Sequence, residues 1–150
     1  AYALQVGLVG SEMCIRDSAN VENGCLRFIK GSHKEKKLKS HNINDNKNLT
    51  LNQELDESEY NEKDAVNLIL KRGQISLHDV YLVHGSEANN SSMARRAITM
   101  RFMPTSSVFD HQMVKDKNLF SKLNASKYQD RKIYHMRGKD ISGKNNLTYI

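Results

Sequence analysis

An all-β fold, a sandwich or jelly roll with a few short helices, is the architecture this sequence predicts, and three observations predict it. Runs of β-branched and aromatic residues are short, turn residues separate them, and no strand–helix–strand alternation runs along the chain. At 150 residues the chain has the length of one domain, enough to bury a core. Hydrophobic residues make up 38% of it, too many for a disordered chain. No window approaches the roughly 18 apolar residues of a membrane span, so no membrane partner is expected.

The elements follow in order. Val21-Glu22-Asn23-Gly24 is a turn, because Asn-Gly supplies the positive φ that tight turns need. Cys25–Ile29 is a short strand rich in β-formers, broken by Gly31-Ser32-His33. Residues 34–63 are polar, rich in Asn, Lys and Glu, and read as a long surface insertion with a short helix near Leu55–Tyr60. Val66–Leu70 is a strand, and Lys71-Arg72-Gly73-Gln74 turns the chain. Ile75–Val83 predicts two short strands around His78-Asp79, ended by His84-Gly85-Ser86. Glu87–Met93 is a polar loop, Arg95–Met103 is a strand, and Pro104 stops it. A helix is expected near Asn118–Leu123 in an otherwise mixed tail, and there is no internal repeat.

The first eighteen residues stand apart. Leu8–Ser18 reads LVGSEMCIRDS, which resembles one reading frame of a transposon-based sequencing adaptor along its whole length. Residues 1–18 are therefore expected to be a non-native leader, with the native chain running over residues 19–150. The alternative for this stretch is a genuine loop.

Charge and cysteine usage narrow the partners. The net charge is +6, from 23 basic and 17 acidic residues. The lysines are spread over polar loops without interleaved aromatics, which reads as solvated loops and not as a nucleic-acid surface. Cys14 and Cys25 make neither a metal spacing nor a disulfide framework, consistent with a reducing, cytoplasmic location. The N-terminal apolar run Ala1–Gly10 is short and has no basic flank, unlike a secretory signal.

Two stretches carry candidate chemistry. His84 ends an apolar β run beside Gly85 and Ser86, a position that suits a structural histidine or a metal ligand. On one unbroken strand His78 and His84 would lie about 20 Å apart, so no single metal would reach both unless the chain folded back. In Arg95–Met103, alternation puts Arg95, Ala97, Thr99 and Arg101 on one face, with Arg96, Ile98, Met100 and Phe102 on the other. The apolar face is expected to pack. The polar face suits either solvent or the inside of a barrel that holds a charged ligand, where the Arg95 guanidinium can grip a carboxylate through two hydrogen bonds.

Glu22–Lys34, ENGCLRFIKGSHK, together with Leu77–Arg96, which contains His84-Gly85-Ser86, Asn89 and Arg95-Arg96, resembles the signature segments of the phytanoyl-CoA dioxygenase family. Arg101–Pro104 fits the strand that follows, and Met136-Arg137-Gly138 with Ser142–Asn146 resembles the C-terminal end of bacterial members, so the resemblance covers Val21 to about Asn146. It implies part of a double-stranded β-helix, the cupin-like jelly roll. It also implies Fe(II) held by two His and one carboxylate, with 2-oxoglutarate as cosubstrate, O2, and a small-molecule substrate that is hydroxylated. By the matching motif His84 is the distal iron ligand, and Arg95 and Ser86 contact the far carboxylate of 2-oxoglutarate.

Departures from the family pattern matter. The family's His-x-Asp pair would fall about two dozen residues before Cys25, and no His precedes His33 in this sequence. Two of three iron ligands are thus unassigned, and the chain as written is expected to be inactive. Lys30 stands where the family commonly has Pro, which predicts a looser turn. His33 and His78 are expected to be structural or to support a ligand. Competing readings are a cupin-like binding module without redox chemistry, and a halogenase in which a small residue replaces the carboxylate ligand.

Overall fold

The computed structural model describes residues 10–44, 46, 53–111 and 130–150. Ten strands and a few 3-10 turns make up its regular structure among these residues, as the all-β expectation requires. The strands are β1 (Gly10–Ile15), β2 (Leu26–Ile29), β3 (His41–Ile43), β4 (Gln53–Leu55), β5 (Ala65–Leu68), β6 (Ile75–Asp79), β7 (His84–Ser86), β8 (Ala97–Phe102), β9 (Ile133–His135) and β10 (Leu147–Tyr149). The expected helix near Asn118–Leu123 lies outside the described residues.

Two compact units divide the chain, and the one formed by Leu8–Ser40 and Leu55–Phe102 holds every predicted site residue. It contains two antiparallel three-stranded sheets, ordered β5-β2-β7 and β6-β1-β8. Two short antiparallel sheets in one unit are the layout of a partial jelly roll. The second unit, which includes His41–Glu54 and Met103–Ile150, holds the parallel pair β9 and β10.

The buried hydrophobic residues, among those described, are Ala19, Cys25, Leu26 and Val83, all at β2 or beside it. Ala19 bridges Leu70 through a pair of backbone hydrogen bonds of 2.7 and 3.0 Å, and Leu70 packs on the Ala19–Cys25 pair. The Asn20–Gly24 turn that leads into β2 is closed by reciprocal bonds: Asn20 N–H donates to Asn23 Oδ1 at 2.8 Å, and Asn23 N–H donates to Asn20 Oδ1 at 2.9 Å. The Asn23 side-chain amide also donates to the Ser18 carbonyl at 2.8 Å. Asn23 is only 1% exposed, and these bonds offset the cost of burying its amide.

Four elements differ from expectation. The insertion over residues 34–63 is not a bare loop, since β3 and β4 pair within it as a two-stranded sheet. Its base is tied by Asp56 N–H to the Ser40 carbonyl at 3.0 Å and by Ser40 N–H to Glu59 Oε1 at 3.1 Å. The expected helix near Leu55–Tyr60 is a single 3-10 turn, Glu57–Glu59, capped by the Asp56 carboxylate. His84-Gly85-Ser86 does not end the β run but is itself strand β7, because its backbone pairs with β2. The apolar face of β8, expected to pack, is exposed: Ile98 at 60%, Met100 at 40% and Phe102 at 42%. Alternation is a property of the strand, whereas cover depends on a second layer.

Gly10–Ile15, within the adaptor-like stretch, runs as the central strand between β6 and β8. Lys30 does not loosen its turn, because Gly31 at φ 84° takes the left-handed position and Lys34 N–H donates to the Gly31 carbonyl at 3.0 Å.

Candidate functional site

The two signature segments are hydrogen-bonded to each other. β2 pairs with β7 so that Leu26 lies opposite Ser86, Arg27 opposite Gly85 and Phe28 opposite His84. Val83, buried just before β7, anchors the contact: its N–H donates to Ser32 Oγ at 2.8 Å, and its carbonyl accepts from Ile29 N–H at 3.0 Å. Ser32 therefore belongs to the site's frame, since without its hydroxyl a buried N–H loses its partner.

The polar loop after β7 is held by the turn before β2. Gly24 sits at φ 72°, and a Cβ there would lie 2.4 Å from the Glu87 carbonyl oxygen, so only glycine lets the two segments close. Asn90 N–H donates to the Glu22 carbonyl at 3.0 Å. Asn89 then shapes the path to Arg95: its Oδ1 accepts from Ser91 N–H at 2.9 Å and its amide donates to the Met93 carbonyl at 2.8 Å. Arg27 on β2 is ion-paired to both Glu62 and Glu87, which ties β2 to the segments on either side.

His84 and Ser86 are both exposed, two residues apart on β7, which is an edge strand of its sheet. The His84 ring is oriented by Nδ1, 2.6 Å from the Leu82 carbonyl oxygen. A carbonyl only accepts, so Nδ1 carries a proton, and Nε2 is the nitrogen left to face a ligand. That is the arrangement of a metal-ligating histidine.

Arg95 and Arg96 differ sharply. Arg96 pairs with Asp17 at 3.3 Å, and its backbone N–H donates to the same carboxylate oxygen at 3.1 Å. The half-buried Arg95 guanidinium has no ion pair among the described residues, so its donors are available to an external anion. A cleft of 110 Å³ beside Arg27, lined by Val21, Gly24, Cys25, Asn67 and Glu87, includes none of His84, Ser86 or Arg95.

His78 and His84 meet because the chain folds back between β6 and β7, the case the strand-length estimate left open. The His78 ring centroid lies 5.1 Å from that of His84, with the planes 60° apart. The chain reverses at Asp79, whose Oδ1 accepts from Tyr81 N–H at 2.9 Å and whose carbonyl accepts from Leu82 N–H at 3.1 Å. An Asp starting a turn was the local signal for this reversal. Burial pushes the His78 imidazole below its ordinary pKa of 6.5, and the neighbouring His84 acts in the same direction. No group of three or more His, Cys, Asp or Glu side chains converges on one point among the described residues.

Comparison with known proteins agrees with the two-segment frame. The family model for phytanoyl-CoA dioxygenase matches residues 7–97, a span that takes in the adaptor-like stretch and ends before the C-terminal segments. A phytanoyl-CoA dioxygenase domain-containing protein 1 homolog from Dictyostelium discoideum is 35% identical over 89 residues, which cover 58% of this chain and 32% of that protein. The chain thus spans about a third of the length of the curated relatives it matches. The crystal structure of EvdO2 from Micromonospora carbonacea var. aurantiaca is 28% identical with a TM-score of 0.57, over 65% of this chain and 39% of that one. The same protein complexed with 2-oxoglutarate gives 23% identity and a TM-score of 0.55, over 68% and 42%, a likeness of fold. The double-stranded β-helix expectation holds.

Proposed function

From a chain that belongs to the phytanoyl-CoA dioxygenase family, we propose a part of an Fe(II)/2-oxoglutarate-dependent dioxygenase that hydroxylates a small molecule. The observation that supports it most is the pairing of β2 with β7, which sets His84, its Nδ1 turned to the Leu82 carbonyl, two residues from Ser86 on the same strand. In this reading His84 is the distal iron ligand. Arg95 and Ser86 hold the far carboxylate of 2-oxoglutarate, Arg95 through its guanidinium and Ser86 through its hydroxyl.

These residues fit one imidazole position of the iron site and the anion end of the cosubstrate. When iron, 2-oxoglutarate and O2 are bound together they supply the oxidation: 2-oxoglutarate goes to succinate and CO2, and a substrate C–H becomes C–OH. The protein's own part is positional. The Leu82 carbonyl keeps the His84 proton on Nδ1, Ser32 and Val83 keep β7 in register, and Asn89 leads the loop toward Arg95. Among the described residues no third His, Cys, Asp or Glu side chain joins a cluster at His84, so Fe(II) binding by these residues alone is proposed to be weak.

The test is to sequence the source DNA across the Ser18–Ala19 junction and to assay the encoded protein for conversion of 2-oxoglutarate to succinate. The expected result is a native upstream stretch carrying a His-x-Asp pair, residues 1–18 replaced, and turnover lost in His84→Ala and cut at least about 10-fold in Arg95→Ala. An upstream stretch with a small residue in place of the Asp points to halogenation. No such pair and no turnover would leave a cupin-like binding module as the better account. Any membrane association is outside this reading; among the described residues no helix is long and apolar enough to cross a membrane.

A further inference from the structure

We propose that His78 and His84 together form a two-imidazole site for a divalent transition-metal ion of the nickel, copper or zinc type. His84 is shared with the reading above; His78 is the added ligand, and the site requires no upstream residue.

Three observations support it. The first is distance. A metal–imidazole bond is about 2.1 Å, and the ring centre lies roughly 1.1 Å behind the nitrogen, so two imidazoles on one tetrahedral ion have centroids about 5 Å apart. The His78 and His84 centroids are 5.1 Å apart, and their 60° tilt is not a parallel stack. The second is orphaned polarity. His78 Nδ1 is buried without a hydrogen-bond partner among the described residues, and so is Ser76 Oγ, two residues earlier on the same face of β6. Two unsatisfied polar atoms on one face call for an occupant, an ion or a water. The third is preorganisation. The Leu82 carbonyl fixes the His84 tautomer, and the Asp79 turn fixes the approach of β6 to β7, so little ordering remains to be done on binding.

The chemistry of the pair selects the ion. Imidazole nitrogen suits copper, nickel and zinc, and the order of affinity should be copper(II) above nickel(II), and copper(II) above zinc(II). With only two protein donors, water completes the coordination.

The experiment is a calorimetric titration of the untagged chain with NiCl2, repeated with CuCl2 and ZnCl2. One ion per chain is expected. His78→Phe, which keeps a ring but no nitrogen, and His84→Phe should each weaken binding about 10- to 100-fold. His135→Phe, a histidine on β9 in the other unit, should leave it unchanged. Circular dichroism checks the fold of each variant, and His78→Gln serves as a second variant if the phenylalanine unfolds the chain. No binding by the wild type, a bound water only, or equal binding by the His78 variants overturns the proposal. Binding lost in His84→Phe but kept in the His78 variants overturns it while leaving the oxygenase reading intact. Binding lost in both, from a gene with no upstream His-x-Asp pair, upholds it while removing that reading.

Discussion

The two three-stranded sheets of the site-bearing unit are built alike and finished differently. The β5-β2-β7 sheet has buried neighbours: Cys25, Leu26 and Val83 lie in or beside it, and Asn23 closes the turn at its entry. The β6-β1-β8 sheet presents an open apolar face, with Ile75 and Leu77 on β6 and Ile98, Met100 and Phe102 on β8. Through β1 the register puts Ile75 in one row with Ile98, and Leu77 in one row with Met100. The same alternating code produced a packed sheet in one place and an exposed one in the other. The difference is local tethering: the first sheet is pinned by turns close in sequence, while the second has apolar residues aligned with nothing described above them.

Substitutions can break this contrast. The largest effect is expected at Gly24. Alanine there combines a strained left-handed φ with a Cβ driven into the Glu87 carbonyl, and should cost about 3 kcal/mol in a urea melt. Next is Ser32→Ala, which strands the Val83 N–H and should cost about 1–2 kcal/mol; a neutral result would mean β7 is not held through that bond.

A pH series probes the place where the two sheets meet. The native His78 imidazole resists protonation, so the unfolded chain binds more protons than the folded one as pH falls. Its share of stability is fully present above the unfolded pKa, near 6.5, and is lost as pH drops from there toward the lower folded value. Melting temperature should fall between pH 7.5 and 5.5, and His78→Phe should flatten that slope. The smallest stability effect is expected on the open face: Leu77→Lys, at a residue 74% exposed, should change stability by less than about 0.5 kcal/mol while reducing binding of an apolar dye. A loss of several times that size would show that Leu77 is covered in solution.

Much of the site was legible locally. Asn23-Gly24 announced a turn, Cys25–Ile29 a strand, and Pro104 the end of another, because each rests on φ limits or β propensity within a few residues. The motif residues were legible by resemblance, and the structure gives several of them work: Gly24 allows a close approach, Ser32 satisfies a buried N–H, and Asn89 ties a loop. The strands β3 and β4 were missed because their polar residues carry no alternation. The β7 strand was read as a terminator because Gly and Ser favour turns until a partner strand supplies the ladder.

The sequence by itself determined the all-β class and the turn at Asn23-Gly24, and its resemblance to the family singled out His84, Ser86 and Arg95 as the residues proposed to meet a metal and a carboxylate. Those depend on local conformational limits and side-chain chemistry. Only the tertiary structure decided that His78 meets His84, that Arg96 is paired while Arg95 has no ion pair among the described residues, and that Ile98, Met100 and Phe102 are exposed. Each of these joins residues through a chain reversal or a distant strand, and strand pairing is a matter of which backbones meet, not of what any one stretch prefers.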